Sequence, residues 1–288
     1  MRRIACITAG LLTLILAAAP ATASAREHPR HGAPPRGERT VQRPDLLQAF
    51  RDAGTTGTMV VRQSGRGRTV IVGNRRSRRR YLPSSTFKVP NSLIATDTGV
   101  ASGAAQPYPG PNPNYELDGA PLLPGACEGD LTLQTAFTNS CIPIYQGIAR
   151  AVGAERYRAA VQAMRYGNAR TDGAPVDEFW LRGPFAISAR EQVRFLERLR
   201  VGRLPVARRA IREVRAMLVT RREAGITVRG KTGYVFSTPQ RLGWWVGSIE
   251  RRGRVSTFAL NLDVDRPQDL AARTTVGEQI LRRLGAFG

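Results

Sequence analysis

The apolar pattern of this 288-residue chain changes character twice, and that alone narrows the fold to a few arrangements. Residues 58–62 and 68–72 read as the strands of a β-hairpin that turns at Ser64-Gly65-Arg66-Gly67. From 131 to 200 the pattern is helical. Apolar residues stand at helical spacing across 144–164, and Ser188 with Glu191 forms a capping box ahead of Val193, Phe195, Leu196 and Leu199. Residues 206–219 predict a further amphipathic helix. Strands return at 226–229, 242–250 and 255–263, and a last helix is expected over 270–284. Strands at both ends with helices between them predict an α+β fold: one antiparallel sheet built from the two ends of the chain, flanked by helices, with a helical lobe inserted in the middle. A short helix is expected over 44–52, and the Pro- and Gly-crowded stretch 106–125 reads as loop. The length suits a single two-lobed domain over 45–288.

Ahead of that domain, Arg2 and Arg3 precede an apolar run over 4–19 and the small residues Ala23-Ser24-Ala25, which reads as a secretory signal over 1–25. Residues 26–44, rich in Arg, Pro and Gly, read as a flexible lead-in. The apolar run is shorter than the about 20 residues of a membrane span, and no second run approaches that length. The product is therefore expected to be secreted or periplasmic, with no span once the signal is removed. The formal charge is +22, with 44 Lys+Arg against 22 Asp+Glu. Arginine is spread along the whole chain, and its densest cluster, Arg75-Arg76 with Arg78-Arg79-Arg80, has no interleaved aromatic apart from Tyr81. The charge accordingly predicts no nucleic-acid partner, only a loose attraction to anionic envelope polymers. Cys6 leaves with the signal. Cys127 and Cys141 remain, an even number in an oxidising compartment, either bridged or left as two unpaired thiols.

Two scarcities restrict the chemistry. His28 and His31, the only histidines, both lie in the lead-in. A fold without histidine has no Ser-His-Asp triad, Cys-His pair or His-ligated metal, and no metal site is expected. Arginine does not lose its proton, so a nucleophile must be activated by Asp, Glu, Tyr or one of only two lysines, Lys88 and Lys231. Lys88 ends Ser84-Ser85-Thr86-Phe87-Lys88, ahead of the apolar residues Leu93, Ile94 and Ala95. At a helix start Ser85 and Lys88 share one face, with free backbone N–H groups for an attacked carbonyl oxygen. A lysine buried there loses its proton more readily and becomes a base. Lys231 lies in Gly230-Lys231-Thr232-Gly233 after a strand, where it can act as a fixed cation beside the Thr232 hydroxyl, with Gly233 admitting a ligand to the backbone.

Ser-x-x-Lys followed far downstream by Lys-Thr-Gly is the pattern of penicillin-recognising serine enzymes. Ser84-Ser85-Thr86-Phe87-Lys88, Ser140-Cys141-Ile142, Tyr166-Gly167-Asn168, Phe179-Trp180-Leu181 with Ile187-Ser188-Ala189, Gly230-Lys231-Thr232-Gly233, Gly243-Trp244-Trp245-Val246-Gly247 and Asp269-Leu270-Ala271-Ala272-Arg273 stand in the family's order. Between about 45 and 285 the chain thus resembles the class D (oxacillinase-type) serine β-lactamases. The resemblance implies a serine β-lactamase/penicillin-binding-type fold, and an activity: opening of β-lactam rings through an acyl-enzyme on Ser85. No bound cofactor is implied, but Lys88 would be carboxylated by CO2 and serve as the general base, with Trp180 donating its indole N–H to that group. Ser140 would pass a proton to the leaving nitrogen. Lys231, Thr232 and Arg273 would hold the substrate carboxylate beside Gly233, and the N–H groups of Ser85 and Tyr234 would form the oxyanion hole. Ile142 stands where the family usually has Val, and adds a methylene near the lysine. A Cys127–Cys141 bridge would brace the segment bearing Ser140. The same residues also suit a penicillin-binding sensor or weak D,D-peptidase that stays acylated, or, more distantly, a basic envelope-polymer binder with an inert site.

Overall fold

The computed structural model describes residues 39–266 and 269–288; the expected signal and residues 26–38 of the lead-in lie outside them. The two ends of the described chain meet in one seven-stranded sheet. Its strands are β1 (Arg39–Gln42), β2 (Gly57–Gln63), β3 (Arg68–Val72), β4 (Val219–Glu223), β5 (Ile226–Val235), β6 (Leu242–Arg251) and β7 (Arg254–Asp263). They lie in the order β1-β3-β2-β7-β6-β5-β4. β7 therefore joins the N-terminal hairpin to the C-terminal strands, with Phe258 opposite Val61 and Leu260 opposite Met59.

Between the strands run α1 (Lys88–Asp97), α2 (Leu133–Asn139), α3 (Ile142–Val152), α4 (Ala154–Ala163), α5 (Ala189–Arg200) and α6 (Arg208–Met217), and α7 (Asp269–Arg283) closes the chain. Among the described residues no helix is long and apolar enough to cross a membrane. One core fills the helical lobe around Phe87, Tyr157, Phe179 and Trp180. A second lies under the other face of the sheet, where Trp245, Phe258 and Leu260 meet Ile280 and Leu281 of α7.

The sheet and the inserted helices follow the sequence pattern, with four local differences. β1 occupies residues expected in the lead-in and pairs parallel to β3, so the sheet is mixed, although its other five pairings are antiparallel. The helical pattern over 144–164 breaks at Gly153, whose φ of 86° ends α3 and starts α4. Val219 is not the end of α6 but the start of β4, a half-exposed, charge-rich edge strand that the amphipathic pattern before it conceals. The stretch 106–125 carries three two-residue strands; one of them, Pro107–Tyr108, pairs with Leu131–Thr132 just ahead of α2.

Candidate active site

The turn before α1 is wound by its own sequence. Pro83 sets its entry, and Ser84 adopts a left-handed φ of 44° while its N–H donates to the carbonyl of Trp180 at 3.0 Å. Ser84–Phe87 is a 3-10 turn rather than the first α-helical turn, and in that geometry residues three apart eclipse one another. Ser85 and Lys88 are thereby stacked, with Lys88 Nζ 3.5 Å from Ser85 Oγ. Phe87 anchors the turn: its ring stacks on Trp180 and meets Phe179, Phe185, Tyr157 and Tyr166 edge-on or tilted. Gln192 on α5 donates to Thr86 Oγ1 at 3.0 Å and accepts from Tyr166 Oη at 3.3 Å, so the Tyr166-Gly167-Asn168 element braces the turn from behind.

Lys88 is completely buried. Burial, and secondarily the charge of Lys231, hold its amine well below the ordinary lysine range. Its Nζ lies 4.9 Å from the centroid of Tyr145, a residue that sequence reasoning passed over because an aromatic on an amphipathic helix reads as core. Tyr145 is fixed by a 2.8 Å hydrogen bond with Ser92. Trp180 is fully buried, and its Nε1–H has no acceptor among the described residues. Such an orphaned donor is unusual in a folded protein and marks a place where an acceptor belongs.

Ser140 caps the end of α2 in a left-handed conformation, φ 63°, with Cys141 next to it. Cys141 is bonded to Cys127, their Cα atoms 5.0 Å apart, so the expected brace on this segment is present. Ile142 is buried at the first position of α3. Across from it Lys231 donates to Ser140 Oγ at 2.5 Å and to its neighbour's carbonyl, Thr232 O, at 3.0 Å. Burial, reinforced by Arg273, lowers the Lys231 amine to about 7.

Strand β5 runs beside the Ser85 turn because Gly233 has no side chain: a Cβ there would come 3.1 Å from Thr86 Cγ2 and 3.2 Å from Pro83 O. Arg273 reaches across Gly243 from α7, whose missing Cβ leaves room for its methylenes, and donates to Gly233 O at 2.9 Å. Burial lowers its guanidinium to about 10. Tyr234 stands half-buried in a row of aromatics with Phe236 and Tyr115, and Arg182 donates to Tyr115 Oη at 2.7 Å. The structure thus links Ser85 with Lys88, and Lys231 with Ser140 and Thr232, while Gly233 sets β5 against the Ser85 turn and receives Arg273; Trp180 meets the turn through Phe87 and Ser84. The aromatic row was not expected from sequence, because Tyr115 lies in the irregular 106–125 stretch.

A serine stacked on a buried lysine of lowered basicity, beside a second pair made by Lys231 of β5 and Ser140 at the end of α2, is the arrangement that the family's motifs describe. A penicillin binding protein transpeptidase domain matches residues 52–283. β-Lactamase OXA-48 of Klebsiella pneumoniae is 36 % identical over 209 residues, covering 73 % of this chain and 76 % of that protein. The chain belongs to the class D β-lactamases. β-Lactamase OXA-2 of Salmonella typhimurium is 33 % identical over 254 residues, covering 87 % of this chain and 88 % of that one. Among solved structures, the class D β-lactamase YbXI from Nostoc superposes with a TM-score of 0.78 at 32 % identity, covering 83 % of this chain and 98 % of that one. FUS-1 (OXA-85) from Fusobacterium nucleatum gives 0.78 at 27 % identity, covering 86 % and 100 %. The expected fold and enzyme class agree with these relatives.

Proposed function

We propose that the protein hydrolyses β-lactams through an acyl-enzyme on Ser85, with carboxylated Lys88 as the general base. Two observations carry this reading: an orphaned Trp180 N–H on a ring stacked against Phe87, and, next to Phe87 in the chain, a fully buried lysine whose amine is held well below the ordinary range. Only an uncharged amine adds CO2, and the resulting carboxylate group is the acceptor that the Trp180 donor lacks. That modification would supply an anionic base in a site with no histidine. The chain's own residues do the rest. Ser85 Oγ attacks the lactam carbonyl, and the N–H groups of Ser85 and Tyr234 receive the developing oxyanion. Ser140, held by Lys231, passes a proton to the leaving nitrogen as the C–N bond breaks. Lys231, Thr232 and Arg273 hold the substrate carboxylate, for which fixed cations are suited. A water then cleaves the ester and restores Ser85.

Ser85→Ala is expected to lower turnover of a chromogenic cephalosporin by at least about 10³-fold, the scale seen when a nucleophile is removed. Retained turnover would overturn the assignment. Depleting CO2 is expected to lower activity and added bicarbonate to restore it; indifference to bicarbonate would exclude a carboxylated lysine. Intact mass after mixing with penicillin separates the hydrolase, whose adduct vanishes, from a penicillin-binding sensor, whose adduct persists. We further infer that residues 1–25 direct export, which N-terminal sequencing of the mature protein would test. Exposed Arg75 and Arg78 support a weak, salt-sensitive attraction to anionic envelope polymers.

A further inference from the structure

A cavity of about 420 Å³ opens beside Lys231 and Thr232; neither Ser85 nor Lys88 lines it. Its walls come from the end of α2, the edge strand β4 and α7. This is a volume suited to a small ligand group. Arg221 is matched, lying 3.3 Å from both Glu223 and Glu278; the other cation in the wall is Lys231. Three threonine hydroxyls in the wall are spent on backbone carbonyls: Thr138 on Gln134, Thr220 on Val228 and Thr274 on Ala271.

Two donors remain, the Thr232 hydroxyl, assigned above to the substrate carboxylate, and one indole N–H. Trp245 is 5 % exposed and lines the cavity, yet its indole N–H has no acceptor among the described residues. Nε1 lies over Gly230, another wall residue: a Cβ on Gly230 would be only 2.8 Å from it. Only glycine at 230 leaves this N–H open to the cavity, where a ligand acceptor can reach it.

We propose that this cavity binds the substituent on the carboxylate-bearing ring of a β-lactam and selects uncharged substituents that carry a hydrogen-bond acceptor, such as an ester or carbamate carbonyl. The proposal rests on the reading above, in which Lys231 and Thr232 hold the ring carboxylate. With the carboxylate there and the lactam carbonyl at Ser85, what the ring carries beyond its carboxylate points past Thr232 toward Trp245. An ionic substituent would have to compete with the Arg221–Glu278 pair; a neutral carbonyl needs only the indole N–H.

The test uses two cephalosporins with the same acylamino side chain, one bearing a 3-acetoxymethyl group and the other a 3-methyl group. The readout is the ratio of their kcat/KM values, which cancels changes common to both. Trp245→Phe is expected to lower the ratio about tenfold, and Thr274→Trp, which fills the cavity from α7, to lower it at least as far. If both variants keep the wild-type ratio, the proposal is wrong; should Trp245→Phe not fold, Thr274→Trp decides alone. Benzylpenicillin, which lacks such a substituent, separates the two failures. Its hydrolysis with an unchanged ratio overturns the cavity assignment only, whereas a wild-type protein inert toward all three compounds overturns the reading and this proposal together.

Discussion

Lys231 is the residue whose environment has the most direct consequence for pH. Its amine is lowered to about 7 by burial and by Arg273, against 10.5 for an ordinary lysine. The unfolded chain therefore binds a proton that the folded chain releases between about pH 7 and 10.5, and stability contributed at this site rises with pH across that window. Below about 7 both states are protonated and the penalty of the buried charge is present in full. Lys231→Met should accordingly raise the melting temperature relative to wild type near pH 6, and that gain should shrink toward pH 10; a gain independent of pH would contradict the assignment. Lys88 shifts in the same direction and remains in the variant, so some pH dependence persists. Trp180→Phe preserves the stack on Phe87 but removes the orphaned donor, and should raise the bicarbonate concentration needed for half-maximal activity about tenfold, corresponding to ~1.4 kcal/mol for one hydrogen bond to a charged group. The lysines were legible in the sequence because their neighbours are spelled with arginine. Tyr145 and Trp245 were not, because an aromatic in an apolar element reads as packing until its polar edge is placed in space.

At the scale of elements, local signals succeeded where the backbone is satisfied locally. The Ser188–Glu191 capping box forms as expected, with Glu191 N–H donating to Ser188 Oγ at 3.3 Å and Ser188 N–H to Glu191 Oε2 at 2.9 Å. Ser188→Ala should destabilise the protein by about 1 kcal/mol, read as a lower urea midpoint with an unchanged slope. Strand β4 and the parallel edge strand β1 escaped the sequence pattern for the opposite reason. Both are short and mostly exposed, and both are held by hydrogen bonds to a neighbour rather than by an apolar face. The break at Gly153 is a single backbone conformation inside a continuous apolar stripe, which a pattern of side chains cannot register.

For the whole molecule, the α+β assignment was legible because strands clustered at the two ends of the chain, whereas the precise seating of the lobes was not. The Cys127–Cys141 bridge closes a loop with a sequence separation of 14 and ends one residue from Ser140. Its reduction should cost about 3 kcal/mol, the expectation for a loop of this size. Because Ser140 receives the Lys231 hydrogen bond, activity should fall at reductant concentrations that leave the fold intact. Thermal denaturation and hydrolysis followed over the same titration would show the two effects separately. A shared midpoint for both would mean that the bridge supports only the fold.

The position of β7 between β2 and β6 has a temporal meaning. The strand that completes the middle of the sheet is the last of the seven to be synthesised, so the N-terminal hairpin waits for a partner made about 200 residues later. Pairings this distant in sequence form slowly, since a long loop must close before any contact repays it. The middle of the sheet therefore cannot close until nearly all of the chain exists.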